Sequence, residues 1–231
     1  VGTTTFDNLY TVNIMSGATQ LVGMIGQGIA VVDIAVQLMP NMPANIAGEL
    51  IYGLSSTNHL ITFDSENPAT VRSQIGITGV TTGQQIVGMD VRPATGELYC
   101  LGYNATSGEA QIYTLNPMNG MLTTVGTPAM LPLGIASIGF DFNPTVDRIR
   151  VTGSNGSNLR FHPTTGALVF TDGNLMFATM DDNASETPMI GSVAYTNSFG
   201  GSNVTTLYNY DNALNSFTKQ VPPNDGTLNT V

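Results

Sequence analysis

Apolar and polar residues alternate along most of the chain in short runs that are separated by turn-forming residues. Two of these runs are Leu9-Tyr-Thr-Val-Asn13 and Ile112-Tyr-Thr-Leu-Asn116, and they are followed by turn sequences at Ser16-Gly17 and Asn119-Gly120. Alternation over about four to eight residues is typical of a half-buried β-strand, and a connection that contains Gly is typical of a hairpin. The pattern therefore predicts an all-β chain built from hairpins.

The hairpins belong to a longer internal repeat. Gly88-Met-Asp-Val-Arg-Pro-Ala-Thr-Gly-Glu-Leu-Tyr99 aligns with Gly139-Phe-Asp-Phe-Asn-Pro-Thr-Val-Asp-Arg-Ile-Arg150 at an offset of 51 residues. Variants of the hairpin begin at Leu60 and Leu159, so that successive copies are about fifty residues apart. Four short strands in each period of this length are typical of a β-propeller blade.

The repeat predicts one β-propeller domain over residues 1–231, with about five four-stranded blades. We expect the innermost strands near residues 31–36, 86–91, 138–142 and 190–195. The N-terminal hairpin, residues 8–23, has no inner strands of its own and therefore forms an incomplete blade. Because an open ring exposes sheet edges that can pair with another chain, this half-blade either closes the ring or is donated to a neighbour.

The composition changes the picture of the surface. Charged residues make up only 10% of the chain and hydrophobic residues 42%, with a formal net charge of −10. A neutral polar surface lacks much of the repulsion that keeps β-rich proteins apart, so self-association is expected. The six basic residues are too few for a nucleic-acid partner, and no apolar run is long enough to predict a membrane span.

The N-terminal residue is Val1, and no basic and apolar leader precedes it. We therefore expect a mature chain from which a signal peptide has been removed, and hence an extracellular, secreted protein.

The segment Phe140-Asp-Phe-Asn-Pro-Thr-Val-Asp-Arg-Ile-Arg-Val151 resembles a bacterial family known as domain of unknown function 4394 (DUF4394), as does Met89-Asp-Val-Arg-Pro-Ala-Thr-Gly-Glu-Leu-Tyr99. The resemblance covers roughly residues 48–231. It implies an exported protein of propeller type and supplies no catalytic residues. In the family pattern a hairpin like residues 9–23 lies at the C-terminal end, so this chain resembles a circular permutation.

Three aspartates, Asp33, Asp90 and Asp141, occupy equivalent points of three predicted inner strands, and the fourth strand has Ala194 there. If they face the central channel, their carboxylates could converge on a structural Ca²⁺, which prefers several oxygen ligands. The alternative, which we favour, is that each one caps a neighbouring turn through the backbone. The same three residues are the only candidates for the paired carboxylates of a carbohydrate-active hydrolase or lyase.

Two further groups of residues suggest chemistry. Asp147, Arg148, Arg150 and Arg160 lie in adjacent predicted strands, where ion pairing with Asp147 or Asp141 is a simpler role than an anion pocket. Aromatic residues could stack on sugars at the face of the ring; these are Tyr52, Tyr99, Tyr103, Tyr195 and Phe199.

The sequence thus favours a non-catalytic extracellular structural or interaction module that assembles with itself into a fibre or surface layer by strand complementation. The alternative is a propeller that binds glycans or a cell-surface protein. A carbohydrate-active hydrolase or lyase is the weakest reading, because it rests on fold analogy alone. No cofactor is expected beyond the Ca²⁺ considered above.

Overall fold

A computed structural model describes residues 7–37, 45–134 and 137–231. These residues form nineteen β-strands and no helix, which confirms the all-β prediction. No helix long and apolar enough to cross a membrane occurs in the part of the chain that is described.

The strands form five sheets, one of which has only two strands, and neighbouring strands are antiparallel except for one pair in the last sheet. The two-stranded sheet is the N-terminal hairpin, with strands β1 (Asn8–Val12) and β2 (Thr19–Met24). The first complete sheet contains β3 (Val31–Val36), β4 (Leu50–Ser55), β5 (His59–Asp64) and β6 (Asn67–Gly76). The second contains β7 (Gln85–Val91), β8 (Leu98–Tyr103), β9 (Glu109–Leu115) and β10 (Leu122–Met130).

The remaining strands form the third and fourth complete sheets. The third contains β11 (Ile138–Asn143), β12 (Arg148–Gly153), β13 (Asn158–Phe161) and β14 (Leu168–Thr171). The fourth contains β16 (Ile190–Tyr195), β17 (Leu207–Asp211), β18 (Ser216–Gln220) and β19 (Thr227–Thr230), together with the short strand β15 (Met176–Phe177).

The sheets are arranged as blades of a propeller, and β3, β7, β11 and β16 are the innermost strands. β3 packs beside β7, β7 beside β11, and β11 beside β16. The apolar core lies between successive blades. Leu54 and Met89 belong to the cluster between the first and second blades, and Leu101 and Phe140 to the cluster between the second and third. The predicted inner strands agree with the observed ones to within one residue.

The fourth blade has one more strand than the repeat predicts. β15 runs parallel to β19, with Met176 opposite Thr227 and Phe177 opposite Leu228. Phe177 and Leu228 are buried there. Only the tertiary fold shows this pairing, because β15 is too short to produce a periodic pattern.

Glycines at the hairpin turns allow neighbouring blades to approach closely. Gly166, with φ +64, lies so near the carbonyl oxygen of Val125 in the preceding blade that no Cβ could fit between them. Gly120, with φ +71, lies in the same way against Gly76, and its carbonyl oxygen accepts a hydrogen bond from the Thr78 N–H at 2.9 Å. Each complete blade is thus fitted to its predecessor at its outer turn.

The N-terminal hairpin is positioned like the outer half of a fifth blade. Its turn glycine, Gly17, lies against the end of the fourth blade, where a Cβ would be 3.4 Å from the Val231 carbonyl oxygen. On its other side, β2 packs beside β6 of the first blade. The hairpin therefore lies between the fourth and first blades, as predicted, and contains only two strands.

Replacing Gly166 by Ala tests this close approach. We expect Gly166→Ala to lower the free energy of unfolding by at least ~2 kcal/mol, because it combines a left-handed backbone with a collision against the neighbouring blade. Gly201 also has a positive φ, +83, but a Cβ there would meet nothing within 4 Å. Gly201→Ala should therefore cost only about 1 kcal/mol. Urea unfolding of both variants measures the difference, and equal losses would contradict the packing argument.

Candidate functional site

Asp33, Asp90 and Asp141 line the central channel, and each one reaches the inner strand of the next blade. Asp33 Oδ2 accepts the Met89 N–H at 2.7 Å, Asp90 Oδ2 accepts the Phe142 N–H at 2.9 Å, and Asp141 Oδ2 accepts the Tyr195 N–H at 2.8 Å. The sequence separations of 56, 52 and 54 residues correspond to one blade each. We call these three contacts the blade clasps.

The other oxygens of Asp33 and Asp90 bond locally. Asp33 Oδ1 accepts the N–H of Ile34 at 2.9 Å, and Asp90 Oδ1 accepts the N–H of Val91 at 2.7 Å. These local bonds resemble the backbone caps that we favoured from the sequence, although they lie within strands rather than at turns. The bond to the next blade was not predicted, because sequence spacing alone does not show which backbone N–H group faces a carboxylate.

The three carboxyl groups also influence one another. Burial raises the pKa of Asp33 to about 8 and that of Asp90 to about 7. Burial also raises the pKa of Asp141 well above its usual value, and repulsion from Asp90 and Asp33 adds to this effect. Interaction between the Asp90 and Asp141 side chains lowers the pKa of Asp90 and raises that of Asp141. The channel therefore holds protonated carboxyl groups near neutral pH.

The geometry bears on the calcium and hydrolase hypotheses. Nowhere in residues 7–37, 45–134 and 137–231 are three His, Cys, Asp or Glu side chains arranged so that they could hold a metal ion. The binding of Ca²⁺ by Asp33, Asp90 and Asp141 therefore remains a prediction, and no arrangement of ligands among the described residues supports it. Each of these carboxyl groups bonds to a backbone N–H of the next blade, so their arrangement accounts for the joining of blades.

The series of clasps ends at the fourth blade. Ala194 occupies the position equivalent to Asp141 and has no carboxylate. Among the described residues, β16 and β3 show no packing comparable to that of the other neighbouring inner strands. The missing aspartate and the missing contact occur at the same seam, where the fifth blade has only its outer hairpin. Ala194 was the sequence signal that marked this seam.

β3 exposes apolar side chains at this seam. Ile34 and Val36 lie on one face of the strand and are 41% and 40% exposed, whereas Ala35 on the opposite face is buried. Val32 lies at a register shift of the β3–β4 pairing and lines a pocket together with residues of β7. The segment Ile29-Ala-Val-Val-Asp-Ile-Ala-Val36 is almost continuously apolar, as is typical of a strand that is covered on both faces. One face of β3 therefore lacks the cover that its sequence indicates. We call the space between β3 and β16 the open cleft.

The outer end of the open cleft forms an apolar pocket of about 190 Å³. The hairpin contributes Val12 and Ile14 to its wall, and the fourth blade contributes Tyr208 and Phe217. No Asp, Glu, Lys or Arg side chain lines this pocket. In a chain with a formal net charge of −10, such a surface is suited to contact with apolar side chains of another protein segment.

The hairpin is attached to the first blade by a short connection. Ile25 is buried in a cluster with Ile61 and Phe63, and Leu9 of β1 packs against the same cluster. Asp7 Oδ2 accepts the Val31 N–H at 2.6 Å where β3 begins.

The arginines act within and between blades. Arg150 is only 1% exposed and pairs with Asp172 at 2.6 Å, and Arg160 pairs with the same carboxylate at 2.7 Å. Arg150 also donates to Asn224 of the fourth blade at 2.9 Å. Ion pairing of these arginines was predicted, but the expected partners, Asp147 and Asp141, were wrong. Both arginines pair with Asp172, because it lies beside them at the end of β14.

The expected sugar-stacking surface is not formed. Tyr52, Tyr99, Tyr103 and Tyr195 are all buried, and only Phe199 of the five candidates is exposed. These tyrosines fill the space between blades, which the alternating pattern could not distinguish from a position on the face of the ring.

The blade clasps predict how stability depends on pH. A carboxyl group with a pKa above its unfolded value of 3.8 stabilises the fold at low pH, and this stabilisation is lost as the pH rises through the folded pKa. The midpoint of urea unfolding should therefore fall steadily between about pH 5 and pH 8, and Asp33→Asn should flatten the decline. The exposed Asp182 provides the control, since Asp182→Asn should leave the decline unchanged. If the midpoint of urea unfolding rose over this range, the result would contradict the conclusion that the aspartates of the blade clasps are protonated.

Comparison with known proteins adds the family. No curated protein matches the chain. A chain in the crystal structure of BBS1N in complex with ARL6DN, soaked with mercury, is 11% identical with a TM-score of 0.47, over 98% of this chain and 62% of that one. Sqt1 from Saccharomyces cerevisiae is 12% identical with a TM-score of 0.42, over 87% of this chain and 46% of that one. This chain thus spans less than two thirds of either. The sequence matches the family described as "Domain of unknown function (DUF4394)" over residues 59–231, well over half of its length, and the chain belongs to that family.

Proposed function

We propose that this protein is an exported, non-catalytic structural or interaction module whose copies join one another through the incomplete fifth blade. The observation that carries the proposal is the uncovered face of β3. Its side chains Ile34 and Val36 are two residues apart, the period of a β-strand, in a segment with the composition of a strand covered on both faces. A strand or hairpin from another chain would provide the missing cover.

The backbone at this position favours the same partner. β1 pairs with β2 along one edge, and no other described strand pairs with its second edge. In the second blade, the equivalent strand β9 pairs on that side with β8. A strand edge that no other described strand covers, beside an apolar surface, is the arrangement that β-strand addition uses, because the backbone provides affinity and the apolar side chains provide register.

A second copy of this chain is the partner that the surface supports. Charged residues are only 10% of the chain, and the apolar pocket of the cleft contains no acidic or basic side chain to oppose a copy that carries the same net charge. A contact between the fifth-blade position of one copy and a different surface of the next is heterologous. If repeating the rotation from one copy to the next does not close a ring, such contacts produce a filament.

Export and the lack of catalysis are parts of the same proposal. The resemblance to DUF4394 implies an exported protein, and the composition of the surface suits a protein that associates outside the cell. The channel carboxyl groups are occupied by the blade clasps, which leaves the assembly surface as the best developed feature of the molecule.

Light scattering and electron microscopy of the purified protein test the proposal. We expect multimers, and a double variant Ile34→Thr with Val36→Thr should shift them toward monomer, with association weakened at least roughly tenfold by the loss of apolar contact. Threonine retains the β-branched shape that suits a strand.

The matched control is Val146→Thr with Val204→Thr. These valines are 54% and 63% exposed and lie outside the open cleft, so their replacement should leave the multimers intact. A wild-type protein that remains monomeric at high concentration, or a control pair that disrupts assembly equally, would refute the proposal.

A further inference from the structure

The β1–β2 hairpin is held by its own chain through two contact areas, one at the first blade, where Leu9 packs against the cluster of Ile61 and Phe63, and one at the fourth blade. At the first blade, a Cβ on Gly23 would be 3.2 Å from Pro68 Cγ, and the Gly26 N–H donates to the Pro68 carbonyl oxygen at 2.9 Å. At the fourth blade, the turn at Gly17 lies near Phe217 and Val231. Both contact areas would be the same if the hairpin came from another copy.

The hairpin contributes little of its own surface to the core. Five of the six residues of β2 are exposed, as are three of the five residues of β1. An isolated two-stranded hairpin is marginally stable in water, so its stability depends on the blades between which it lies. Its hold on them is weaker than that of the complete blades, whose inner strands are joined by the blade clasps.

The connection between the hairpin and the first blade contains a strained turn. Gly26, Gln27 and Gly28 have φ values of 55°, 57° and 109°. Gln27 has a side chain, and the left-handed conformation is unfavourable for it. Extending this connection would relieve that strain. Residues 25–30, fully extended, span up to ~20 Å, which is enough to carry the hairpin to a neighbouring molecule.

We infer that the β1–β2 hairpin is exchanged between copies of this chain, so that the hairpin of one copy occupies the fifth-blade position of the next. The inference rests on the proposed self-association and names a different joining element, the hairpin itself, in place of a strand added beside β3 and β1. The hinge is the turn at Gly26–Gly28. Repeated exchange in one direction links molecules into an open chain, whereas reciprocal exchange closes a dimer.

A disulfide between the hairpin and the first blade reports which copy supplies the hairpin. We propose the double variant Gly23→Cys with Pro68→Cys, whose side chains would be close enough to pair. The native Cys100 is fully buried and does not compete. After oxidation, a ladder of covalent multimers on a non-reducing denaturing gel is expected, and reduction should collapse it to the single chain. Each single cysteine variant is the control and should give no ladder.

The outcomes separate this inference from the proposed function. A covalent monomer, together with multimers in light scattering, would overturn exchange and leave self-association standing. A covalent dimer with no longer species would support exchange but contradict filament growth. If light scattering shows only monomers, both proposals fail. If the first cysteine pair does not oxidise, a second pair at the other end of the hairpin, Gly17→Cys with Phe217→Cys, tests exchange by the same covalent ladder.

A second variant tests the hinge without altering the contact areas. Gln27→Gly removes the strain of the closed turn, because glycine adopts a positive φ readily. It should reduce the exchanged fraction roughly fivefold, as measured by the intensity of the covalent ladder in the Gly23→Cys and Pro68→Cys background. An unchanged or increased ladder would show that the turn at Gln27 does not control exchange.

Discussion

This propeller depends on one interaction: a buried carboxyl group accepts a hydrogen bond from a backbone N–H of the next blade. Blades share no backbone ladder, so their inner strands must be positioned by side chains. Asp33, Asp90 and Asp141 do this at three successive seams with contacts of 2.7 to 2.9 Å. This hydrogen bond is directional, whereas the apolar packing between blades is not. It therefore sets the register of each blade against the next.

The same interaction explains where the ring is weak. A clasp requires an acceptor on one inner strand and a backbone N–H on the next. At the fourth blade the acceptor is replaced by Ala194, and the fifth position presents only the outer hairpin. This seam has no clasp, and the uncovered face of β3 borders it. Four complete blades joined by three clasps thus adjoin a two-stranded half-blade without one.

The acidic character of the chain fits this arrangement. Burial raises the pKa of the channel aspartates, so they are partly protonated near neutral pH and can lie close together without full mutual repulsion. Arg150, almost fully buried, adds a second link between the third and fourth blades through Asn224. The complete seams are therefore held by polar groups, while the open cleft is apolar.

The sequence alone determined the repeat, the all-β class, the inner strands and the two-stranded N-terminal blade, because alternation and spacing are local properties that survive without three-dimensional information. It also marked the seam, through Ala194 in place of an aspartate. Only the tertiary structure decided what those features contact. It showed that the aspartates reach the next blade, that Asp172 takes both Arg150 and Arg160, and that four of the candidate tyrosines are buried. These facts depend on which residues from distant parts of the chain face one another, and periodicity along the chain contains no information about that.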